Sequence, residues 1–475
     1  MGKGSSLPGQ VALKVCPGVL KRLKLPKTII AVTGSNGKTS TAELIAHALI
    51  SGGKKVGWNY EGANQIEGVA TLLLRISGFD GTVKRDALVL ECDERYARII
   101  FNEIRPSALI VTNLCRDQLT RNGHHEFVQD CIHSAIKAAG GEVKLILNAD
   151  DPYVAALAAT EFGIRNSEFG VISQKDAIDI SSDSNSHSLR IIWFGVGSCV
   201  SNTPPKKLSA LNSQLSTCGA YDDGAFCPIC KGRMTYEYRV AGHYGSYRCG
   251  ICNFCRPEPD IEITSLDYES GEATIIPNSE FRIPNLSSDF STRLAFPSLT
   301  GAYNLAAATA AVAASGYDIK DAASALDGYD LKGGRTIRFS VGGRSGILLV
   351  SKHENSLSYN QSLAWVAGQG KPCTVLILVD SISRKYYTSE TSWLWDVDFE
   401  LLADECVRNI VLAGRYVNEL MARFAMSAVN PEKISYIADP GGIREHLEQT
   451  GEGDIYAITC FADKAKLLQG LGVRG

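Results

Sequence analysis

The sequence of 475 residues is too long for one ordinary hydrophobic core, so we expect two or three domains. A hydrophobic fraction of 45% and a charged fraction of 21% are typical of water-soluble globular proteins, and a formal net charge of -3 argues against nucleic acid as the main partner. Because no apolar run approaches the ~18 residues that cross a membrane and no secretory signal is visible, we expect a cytoplasmic protein.

The strand-loop-helix pattern of residues 28–51 predicts a phosphate-binding loop. Thr28–Val32 is a short β-branched run that suits a buried strand, and the residues after Gly37 carry apolar side chains at helical spacing. Glycines between the two elements let backbone N–H groups turn towards phosphate oxygens, where the helix N-terminus adds partial positive charge. The residues predicted to bind the nucleotide here are Gly34, Ser35, Asn36, Gly37, Lys38, Thr39 and Ser40.

Within this loop, Lys38 is placed to reach the β- and γ-phosphates, and the Thr39 hydroxyl is placed to bind magnesium. The strict P-loop pattern has a glycine where this sequence has Val32, so only the shorter Gly-x-x-Gly-Lys-Thr core is present. The alternative is a glycine turn followed by a solvated lysine. We favour the phosphate loop because the strand before it and the helix after it agree with the motif.

Further apolar runs, separated by helical stretches, predict a mostly parallel, doubly wound α/β sheet. They are Ala87–Glu91, Ala108–Thr112 and Lys144–Asn148. In such sheets ligands bind at the carboxyl ends of the strands, where Glu91, Asn113 and Asn148 are located. The Glu91 carboxylate is therefore a second candidate ligand for magnesium, with a solvated strand-end acid as the alternative.

The cysteine spacing between residues 221 and 258 predicts a zinc site. Cys227-Pro-Ile-Cys230 and Cys249-Gly-Ile-Cys252 are separated by 18 residues, and each pair can place two thiolates on one side of a tight turn. Four thiolate ligands indicate a structural rather than a catalytic zinc ion. Cys255 lies close enough to replace Cys252, although the two-residue spacing favours Cys252. A redox pair and a coincidental cluster are the alternatives.

After this insertion, the sequence predicts the end of the first domain and a second, smaller α/β domain. Residues 261–283 predict short strands, and Gly301-Ala-Tyr-Asn304 opens an alanine-rich helix. Gly333-Gly334 marks a linker, so we place the domains at 1–332 and 333–475. The predicted strands of the second domain are Ile347–Val350, Val375–Val379, Asn409–Leu412, Ile434–Ile437 and Asp454–Thr459.

The segment Thr33-Gly-Ser-Asn-Gly-Lys-Thr39 resembles the ATP loop of the Mur ligase superfamily, whose members form peptide or amide bonds through an acyl phosphate. The sequence is most similar to the branch that amidates the cell-wall precursor lipid II. The other segments that carry the resemblance are Leu7–Gln10, Asn59–Asn64, Thr112–Gln118, Asn148–Pro152, the four-cysteine insertion, Gly301–Asn304, Gly334-Arg335 and Thr391–Glu400. The resemblance implies a Mur ligase-type P-loop central domain with an inserted zinc ribbon (about 221–258) and a Rossmann-like C-terminal α/β domain.

The resemblance also implies a reaction. ATP would phosphorylate the α-carboxylate of the D-glutamate in the lipid II stem peptide, and ammonia would then attack the acyl phosphate to give D-isoglutamine. A GatD-like glutaminase partner would release that ammonia from glutamine. The residues to which the resemblance assigns a role in the ATP site are Lys38, Thr39, Glu91, Asn304 and Arg335, with Thr39 and Glu91 as magnesium ligands.

Three features depart from the family pattern. The resemblance implies that a carboxylate before Thr391 completes the catalytic triad of the glutaminase in a heterodimer, and this residue is Glu390 instead of the usual Asp. The preceding loop, Ser381–Ser389, is more basic and aromatic than the Asp-Gly-containing loop of the family. Ala307 stands where the family often has a second Asn after the one matched by Asn304.

Two other functions stay open at the level of the sequence. One is a ligase that adds an amino acid to a muropeptide or to a folate-type glutamate, which its amine substrate would distinguish. The other is a non-catalytic ATP-binding scaffold, which a lack of ATP turnover would support. Because lipid II is membrane-bound, Lys21-Arg-Leu-Lys24 is a candidate for peripheral contact at the inner face of the cytoplasmic membrane, with a solvated helix face as the alternative.

Overall fold

The computed structural model describes residues 6–60, 62–115, 125–161, 190–201, 222–240, 242–278, 289–332, 336–352, 354–381 and 391–473. These residues form two compact units, one built mainly from the described residues before Gly333 and the other mainly from those after Gly334. Among the helices within these ranges, none combines the length and the apolar character that crossing a lipid bilayer requires.

A nine-stranded sheet forms the centre of the first unit. The strands of this unit, including a separate hairpin of β7 and β8, are β1 (Thr28–Thr33), β2 (Val56–Trp58), β3 (Ala87–Glu91), β4 (Ala108–Val111), β5 (Lys144–Asn148), β6 (Arg190–Val196), β7 (Met234–Val240), β8 (Tyr244–Cys249), β9 (Ile261–Leu266), β10 (Glu272–Pro277) and β11 (Phe290–Arg293). The order across the sheet is β11-β10-β9-β6-β5-β4-β1-β3-β2. Neighbours from β2 to β9 in this order are parallel, as predicted, whereas β9, β10 and β11 pair antiparallel.

Helices cover both faces of this sheet. They are α1 (Leu7–Val15), α2 (Lys38–Ser51), α3 (Ile66–Ile76), α4 (Ala97–Glu103), α5 (His125–Ala139), α6 (Pro152–Glu161), α7 (Ser198–Ser201), α8 (Leu299–Ala314) and α9 (Ile319–Leu326). Ile29 and Ala31 of β1 join a core that includes side chains from α3, α4 and α5, while Ile30 and Val32 are buried on the opposite side of the strand. Burial on both faces explains why this strand is a continuous apolar run.

The alanine-rich helix α8 packs closely against its neighbours α2 and β6. Its first turn is capped by the Ser298 hydroxyl, which accepts a hydrogen bond from the Gly301 backbone N–H at 3.1 Å. Small side chains along the helix, among them Ala306, Ala307 and Ala310, are fully buried. Their size allows a close approach, which brings the start of α8 to the glycine loop at the start of α2.

The insertion between β6 and β9 contains the antiparallel hairpin β7–β8, in which Met234 pairs with Cys249. Buried side chains of the insertion, including Tyr247 and Phe254, belong to the same hydrophobic core as residues of α5 and α6. The insertion is therefore packed into the first unit along one side, and its cysteines lie at the base of the hairpin.

The second unit has a six-stranded sheet of its own. Its strands are β12 (Thr336–Val341), β13 (Arg344–Ser351), β14 (Cys373–Leu378), β15 (Val407–Ala413), β16 (Ile434–Ile437) and β17 (Asp454–Cys460), and its helices are α10 (Ser356–Gly368), α11 (Val417–Ala425), α12 (Ile443–Gln449) and α13 (Lys464–Gly470). The order is β12-β13-β17-β14-β15-β16, and only β12 and β13 pair antiparallel. Each of the five predicted strands lies in this sheet, whereas β12 was missed.

Candidate active site

The glycine loop between β1 and α2 adopts a conformation that requires glycine at both ends. Gly34 and Gly37 have φ angles of 125° and 82°, in the region that other residues rarely adopt. A Cβ on Gly34 would lie 2.2 Å from the Thr112 hydroxyl oxygen, and a Cβ on Gly37 would lie 2.3 Å from the Asn304 side-chain oxygen. The loop is thus pressed between the end of β4 and the start of α8, which leaves no room for larger residues.

Residues at the end of β4 hold the loop in place. The Asn113 amide accepts a hydrogen bond from the Asn36 N–H at 2.8 Å and donates one to the Asn36 carbonyl at 3.0 Å. The Thr112 hydroxyl donates to the same carbonyl at 2.6 Å, and the Ser35 N–H donates to the Asn113 carbonyl at 2.9 Å. Asn113 was recognised in the sequence as a strand-end residue, and the structure gives it the role of a clamp on the loop.

Lys38 is buried and paired with a carboxylate that the sequence did not single out. Its ammonium group lies 2.5 Å from Glu94 Oε1 and also donates to the Gly34 carbonyl. Lys38 is 8% exposed and Glu94 is 3% exposed. Burial lowers the pKa of Lys38, but the nearby carboxylates of Glu94, Glu91 and Asp93 outweigh it and raise that pKa overall. The lysine is therefore held in its charged form beside the loop.

The two predicted magnesium ligands lie next to each other. The Thr39 hydroxyl donates to Glu91 Oε2 at 2.8 Å, and the Asn64 amide donates to Glu91 Oε1 at 3.0 Å. The Asn59 side chain fixes the backbone of Glu91 by two further hydrogen bonds of 2.8 Å. Hydroxyl and carboxylate oxygens are the hard ligands that magnesium prefers, so the donor set fits this ion.

Asn304 is the predicted nucleotide residue of α8, and it lies against the glycine loop. The Thr41 hydroxyl donates to its side-chain oxygen at 3.3 Å. Ser40 is half-buried in the first turn of α2. The structure therefore brings the predicted residues of the loop together with Glu91 and Asn304. Arg335 and Glu390 lie outside the described residues.

A buried polar network beside α8 was not predicted. Asp150, which is fully buried, accepts hydrogen bonds from Arg256 Nε at 2.6 Å and from the Tyr303 hydroxyl at 2.7 Å. Arg256 lies within the cysteine insertion, directly after Cys255, and Tyr303 precedes Asn304 in α8. The network therefore joins the insertion to the helix that contacts the glycine loop. In the sequence, only the two consecutive acids Asp150-Asp151 after β5 could have indicated this network.

Asp151 makes a second link between the insertion and the sheet. Its Oδ2 accepts from the Leu114 N–H at 2.7 Å and lies 3.0 Å from His243 Nε2. Both side chains are fully buried. Since Leu114 directly follows Asn113, the hairpin end at His243 is tied to the segment that clamps the glycine loop.

The four cysteines of the insertion form one cluster. The Sγ atoms of Cys227, Cys230, Cys249 and Cys252 all lie within 4.8 Å of one another. Cys227 and Cys252 are 3.6 Å apart, and Cys230 and Cys249 are 3.5 Å apart. A tetrahedral zinc ion with zinc–sulfur bonds of about 2.3 Å needs sulfur atoms about 3.8 Å apart, so the cluster fits zinc.

The two cysteine turns have matching backbones. Lys231 and Asn253, each one residue beyond the second cysteine of a pair, have φ angles of 61° and 60°. Across each turn the first cysteine donates its N–H at 2.7 Å, Cys227 to the Gly232 carbonyl and Cys249 to the Phe254 carbonyl. Burial raises the pKa of Cys249, but N–H groups of Cys252 and Ile251 and the neighbouring thiols outweigh it and lower that pKa to about 7. Cys255 is not part of the cluster.

In the second unit, the segment Trp393–Glu400 is held by two side chains from helices. The Asn360 amide of α10 donates to Asp398 Oδ2 at 3.2 Å, and Arg423 of α11 donates to both carboxylate oxygens of Glu400 at 2.9 Å. This segment begins three residues after Glu390 in the sequence and includes the half-exposed Trp395.

Comparison with known proteins gives two family matches in succession. Residues 32–204 match the Mur ligase middle domain, and residues 353–462 match the MurT ligase C-terminal domain. The MurT subunit of lipid II isoglutaminyl synthase (glutamine-hydrolyzing) from Staphylococcus aureus is 27% identical over 90% of this chain and 84% of that protein. The corresponding subunit from Streptococcus pneumoniae is 27% identical over 97% of this chain and 91% of that protein.

Solved structures share the fold at lower sequence identity. A pseudomurein peptide ligase type C from Methanothermus fervidus has a TM-score of 0.65 at 17% identity, covering 95% of this chain and 79% of that chain. The MurF ligase from Thermotoga maritima in complex with ADP has a TM-score of 0.59 at 14% identity, covering 98% and 83%. These matches confirm the predicted Mur ligase-type α/β fold with a central and a C-terminal domain, and over most of its length the chain is similar in sequence to proteins named as MurT subunits.

Proposed function

We propose that this chain is the ligase subunit of a lipid II isoglutaminyl synthase, an ATP-dependent enzyme that converts the D-glutamate α-carboxylate of the stem peptide into the amide of D-isoglutamine. The observation that carries the proposal is the pairing of Thr39 with Glu91 at 2.8 Å, beside Lys38 and the glycine loop. It occurs in a chain that is similar over 90% of its length to proteins of that name.

The proposed reaction has two steps. An oxygen of the substrate carboxylate attacks the γ-phosphorus of ATP, the bond to the bridging oxygen breaks, and ADP leaves. Ammonia then attacks the acyl carbon, the carbon–oxygen bond to phosphate breaks, and the nitrogen loses a proton to leave the amide. Phosphorylation is needed because a carboxylate is a poor electrophile, and the phosphate provides a leaving group.

The residues around the glycine loop have distinct roles in this proposal. Lys38 exchanges its contacts with Glu94 and the Gly34 carbonyl for phosphate oxygens, where its charge stabilises the phosphoryl group in transfer. Thr39 and Glu91 hold magnesium, which when bound neutralises charge on the same group. Asn304 and Arg335 contact the nucleotide. The loop N–H groups orient its phosphates.

We assign zinc to the four-cysteine cluster as a structural ion, because all four ligand positions are filled by protein thiols. In this assignment the nucleotide-binding domain is residues 1–332, with the zinc ribbon at about 221–258. The C-terminal domain is residues 333–475. The ribbon stabilises the first domain through the buried contacts of Asp150 and Asp151.

The nitrogen source in the proposal is a second protein. A GatD-like glutaminase forms a heterodimer with this chain in the cytoplasm and releases ammonia from glutamine, and Glu390 completes the catalytic triad of that partner. The subunit wording in the names of the relatives supports a complex of more than one chain. Lipid II supplies the carboxylate.

The test is ADP release by the purified chain with ATP, magnesium and lipid II, with and without ammonium. We expect ADP release that depends on ammonium and a product mass that corresponds to a carboxylate changed into an amide. Turnover with an amino acid but not with ammonium would overturn the proposal in favour of an amino-acid-adding ligase. An absence of ATP turnover with either amine would favour a scaffold.

A further inference from the structure

The outer face of α1 carries a row of apolar side chains in contact with solvent. Leu7, Val11 and Val15 are 61%, 54% and 81% exposed. They are spaced four residues apart, so they form one stripe along the helix. The stripe occupies the length of a nine-residue helix. Contiguous apolar patches on a protein surface often mark interaction sites, so the stripe is a candidate for one.

The opposite face of α1 packs against α3, so the apolar side chains of the stripe face solvent. A Cβ on Gly9 would lie 1.9 Å from the Glu67 carbonyl oxygen, which shows how closely the two helices approach. The Gly9 N–H donates to the Thr71 hydroxyl at 2.9 Å, and Leu13 packs against the core. The helix cannot rotate to bury Val11 and Val15 without breaking this contact.

The segment around the stripe is strongly basic. No aspartate or glutamate precedes Glu43 in the sequence, although the whole chain has a net charge of -3. The exposed basic residues in and after α1 are Lys14, Lys21, Arg22, Lys24 and Lys27. The Lys21 ammonium nitrogen lies 3.3 Å from a carboxylate oxygen of Glu103, and the other four basic side chains are also exposed to solvent.

A fully exposed aromatic residue extends the same surface. Phe79 is 115% exposed and lies in the turn after α3. That turn is attached to the basic segment, because the Lys24 N–H donates to the Gly81 carbonyl at 2.9 Å and the Val83 N–H donates to the Lys24 carbonyl at 3.0 Å. Asp80, the acid beside Phe79, accepts hydrogen bonds from Thr82.

This surface begins close to the candidate active site. Gly9 contacts Glu67 at the start of α3, and Asn64, three residues earlier, donates to the carboxylate of Glu91. The far end of the surface lies beyond the other end of α3, at Phe79 and Lys24. The surface therefore runs along α3, from the end of the helix that lies close to Asn64 to the turn that carries Phe79.

We propose that Leu7, Val11, Val15 and Phe79, with Lys14, Arg22 and Lys24, form a docking surface for an anionic phospholipid bilayer. Apolar side chains enter the boundary between headgroups and acyl chains, while the basic side chains contact lipid phosphates. This inference rests on the proposed function, because a substrate anchored in a membrane must be reached from the membrane surface. We call these seven residues the α1 surface.

The test is sedimentation of the full chain with vesicles of phosphatidylcholine, with and without phosphatidylglycerol, in the absence of lipid II. We expect binding to the anionic vesicles that weakens as salt is raised. The double variant Arg22→Gln/Lys24→Gln should bind at least about tenfold more weakly, since each basic residue near an anionic surface contributes about fivefold. Val11→Ser/Val15→Ser should also bind more weakly, without loss of thermal stability.

Matched controls lie elsewhere in the chain. Met426→Ser/Phe461→Ser replaces two side chains that are 74% and 71% exposed in the second unit, and Lys320→Gln/Arg408→Gln removes two exposed basic groups. Both controls should bind vesicles as the wild type does. Equal vesicle binding by all variants, or no vesicle binding by the wild type, would contradict the proposal that the α1 surface binds a bilayer. Loss of glutaminase binding in the α1 variants, with vesicle binding unchanged, would assign the surface to a protein partner instead.

Amidation of detergent-solubilised lipid II separates this inference from the proposed function. The α1 variants should amidate the solubilised substrate at the wild-type rate and lose rate only when lipid II is embedded in anionic vesicles. A chain that binds vesicles but never amidates would contradict the proposed function and leave the docking surface intact. A chain that amidates embedded and solubilised substrate equally, in all variants, would contradict the docking surface alone.

Discussion

At the scale of single residues, Lys38, directly after the glycine loop, forms a buried ion pair with Glu94. Lys38 and Glu94 lie 2.5 Å apart, and neither side chain is more than 8% exposed. Both charges are tolerated inside the protein because each neutralises the other. In the proposed function, phosphate oxygens that enter the loop compete with Glu94 for the same ammonium group. The two residues are therefore coupled in stability as well as in nucleotide binding.

This coupling predicts different effects on stability and on activity. Lys38→Met leaves Glu94 buried without its cation, which should lower the free energy of unfolding by about 3–5 kcal/mol. The double variant Lys38→Met/Glu94→Gln should recover most of that loss. Both should release ADP about 10²–10³-fold more slowly than the wild type, because one positive group at the transferred phosphoryl is gone. Urea unfolding and ADP assays on the same samples check this, and full ADP release by Lys38→Met would contradict it.

A second residue predicts a pH dependence in the other unit. Burial, and then repulsion by Glu400, raises the pKa of Asp398 to about 6 from an ordinary value of 3.8. The folded state therefore holds this proton more tightly than the unfolded state, and the contribution of Asp398 to stability increases as the pH falls from about 6 to about 4. Above pH 6, the charged form disfavours folding by at most about 3 kcal/mol.

Asp398→Asn should remove that penalty. We expect the variant to be more stable than the wild type at about pH 8 and nearly equal to it at about pH 4. Urea unfolding at the two pH values measures the stability of the variant and of the wild type. It is followed by tryptophan fluorescence, to which Trp393 and Trp395 of the same segment contribute. A stability difference that stays constant across this pH range would mean that the pKa of Asp398 is not raised.

At the scale of elements, the four-cysteine ribbon should support the nucleotide site from a distance. We expect about one zinc ion per chain, and Cys230→Ser should reduce the zinc content and lower the Tm. Because the ribbon is tied to Asp150 and Asp151, the variant should also have a higher KM for ATP. Cys255→Ser is the matched control and should keep zinc, Tm and KM. Equal zinc loss in both variants would make Cys255 a ligand.

Elements that depend on local pattern could be predicted from the sequence. The glycine loop, the strand before it and the cysteine pairs each follow from residues close together in the chain, and the structure contains all three. Strand β12 was missed because Thr336–Val341 begins one residue after two glycines that indicate a linker, and because it lies at the edge of its sheet with a half-polar pattern. Short edge strands give a weaker signal than buried parallel ones.

The contacts that assemble the site could not be predicted in the same way. Lys38 and Glu94 are 56 residues apart in the chain, and Asp150 meets Tyr303 across 153 residues. Such pairs depend on how the strands are ordered, which one sequence does not reveal. Asp150 and His243 had no motif to indicate a partner. Glu94 was not singled out in the sequence, because its role depends on the side chain of Lys38.

At the scale of the whole molecule, the proposed reaction separates into two activities on two chains. We propose phosphorylation and amide formation for the first unit of this chain, where the glycine loop, Glu91 and Asn304 come together. In the same proposal, glutamine hydrolysis belongs to the partner and needs Glu390 from this chain. Free ammonium supplies the same nucleophile without the partner. The two activities should therefore respond differently to a change at Glu390.

Glu390→Gln should abolish amidation with glutamine as nitrogen source and leave amidation with ammonium at the wild-type rate. The amide cannot carry the negative charge that orients the partner's histidine, whereas the ATP site is unaltered. Glu390→Asp, which restores the residue usual in the family, is the conservative control and should keep glutamine-dependent activity. The measurement is product formation by the reconstituted heterodimer with each nitrogen source in turn. Equal loss with both sources would place Glu390 in the ligase site, and equal retention would remove it from the triad.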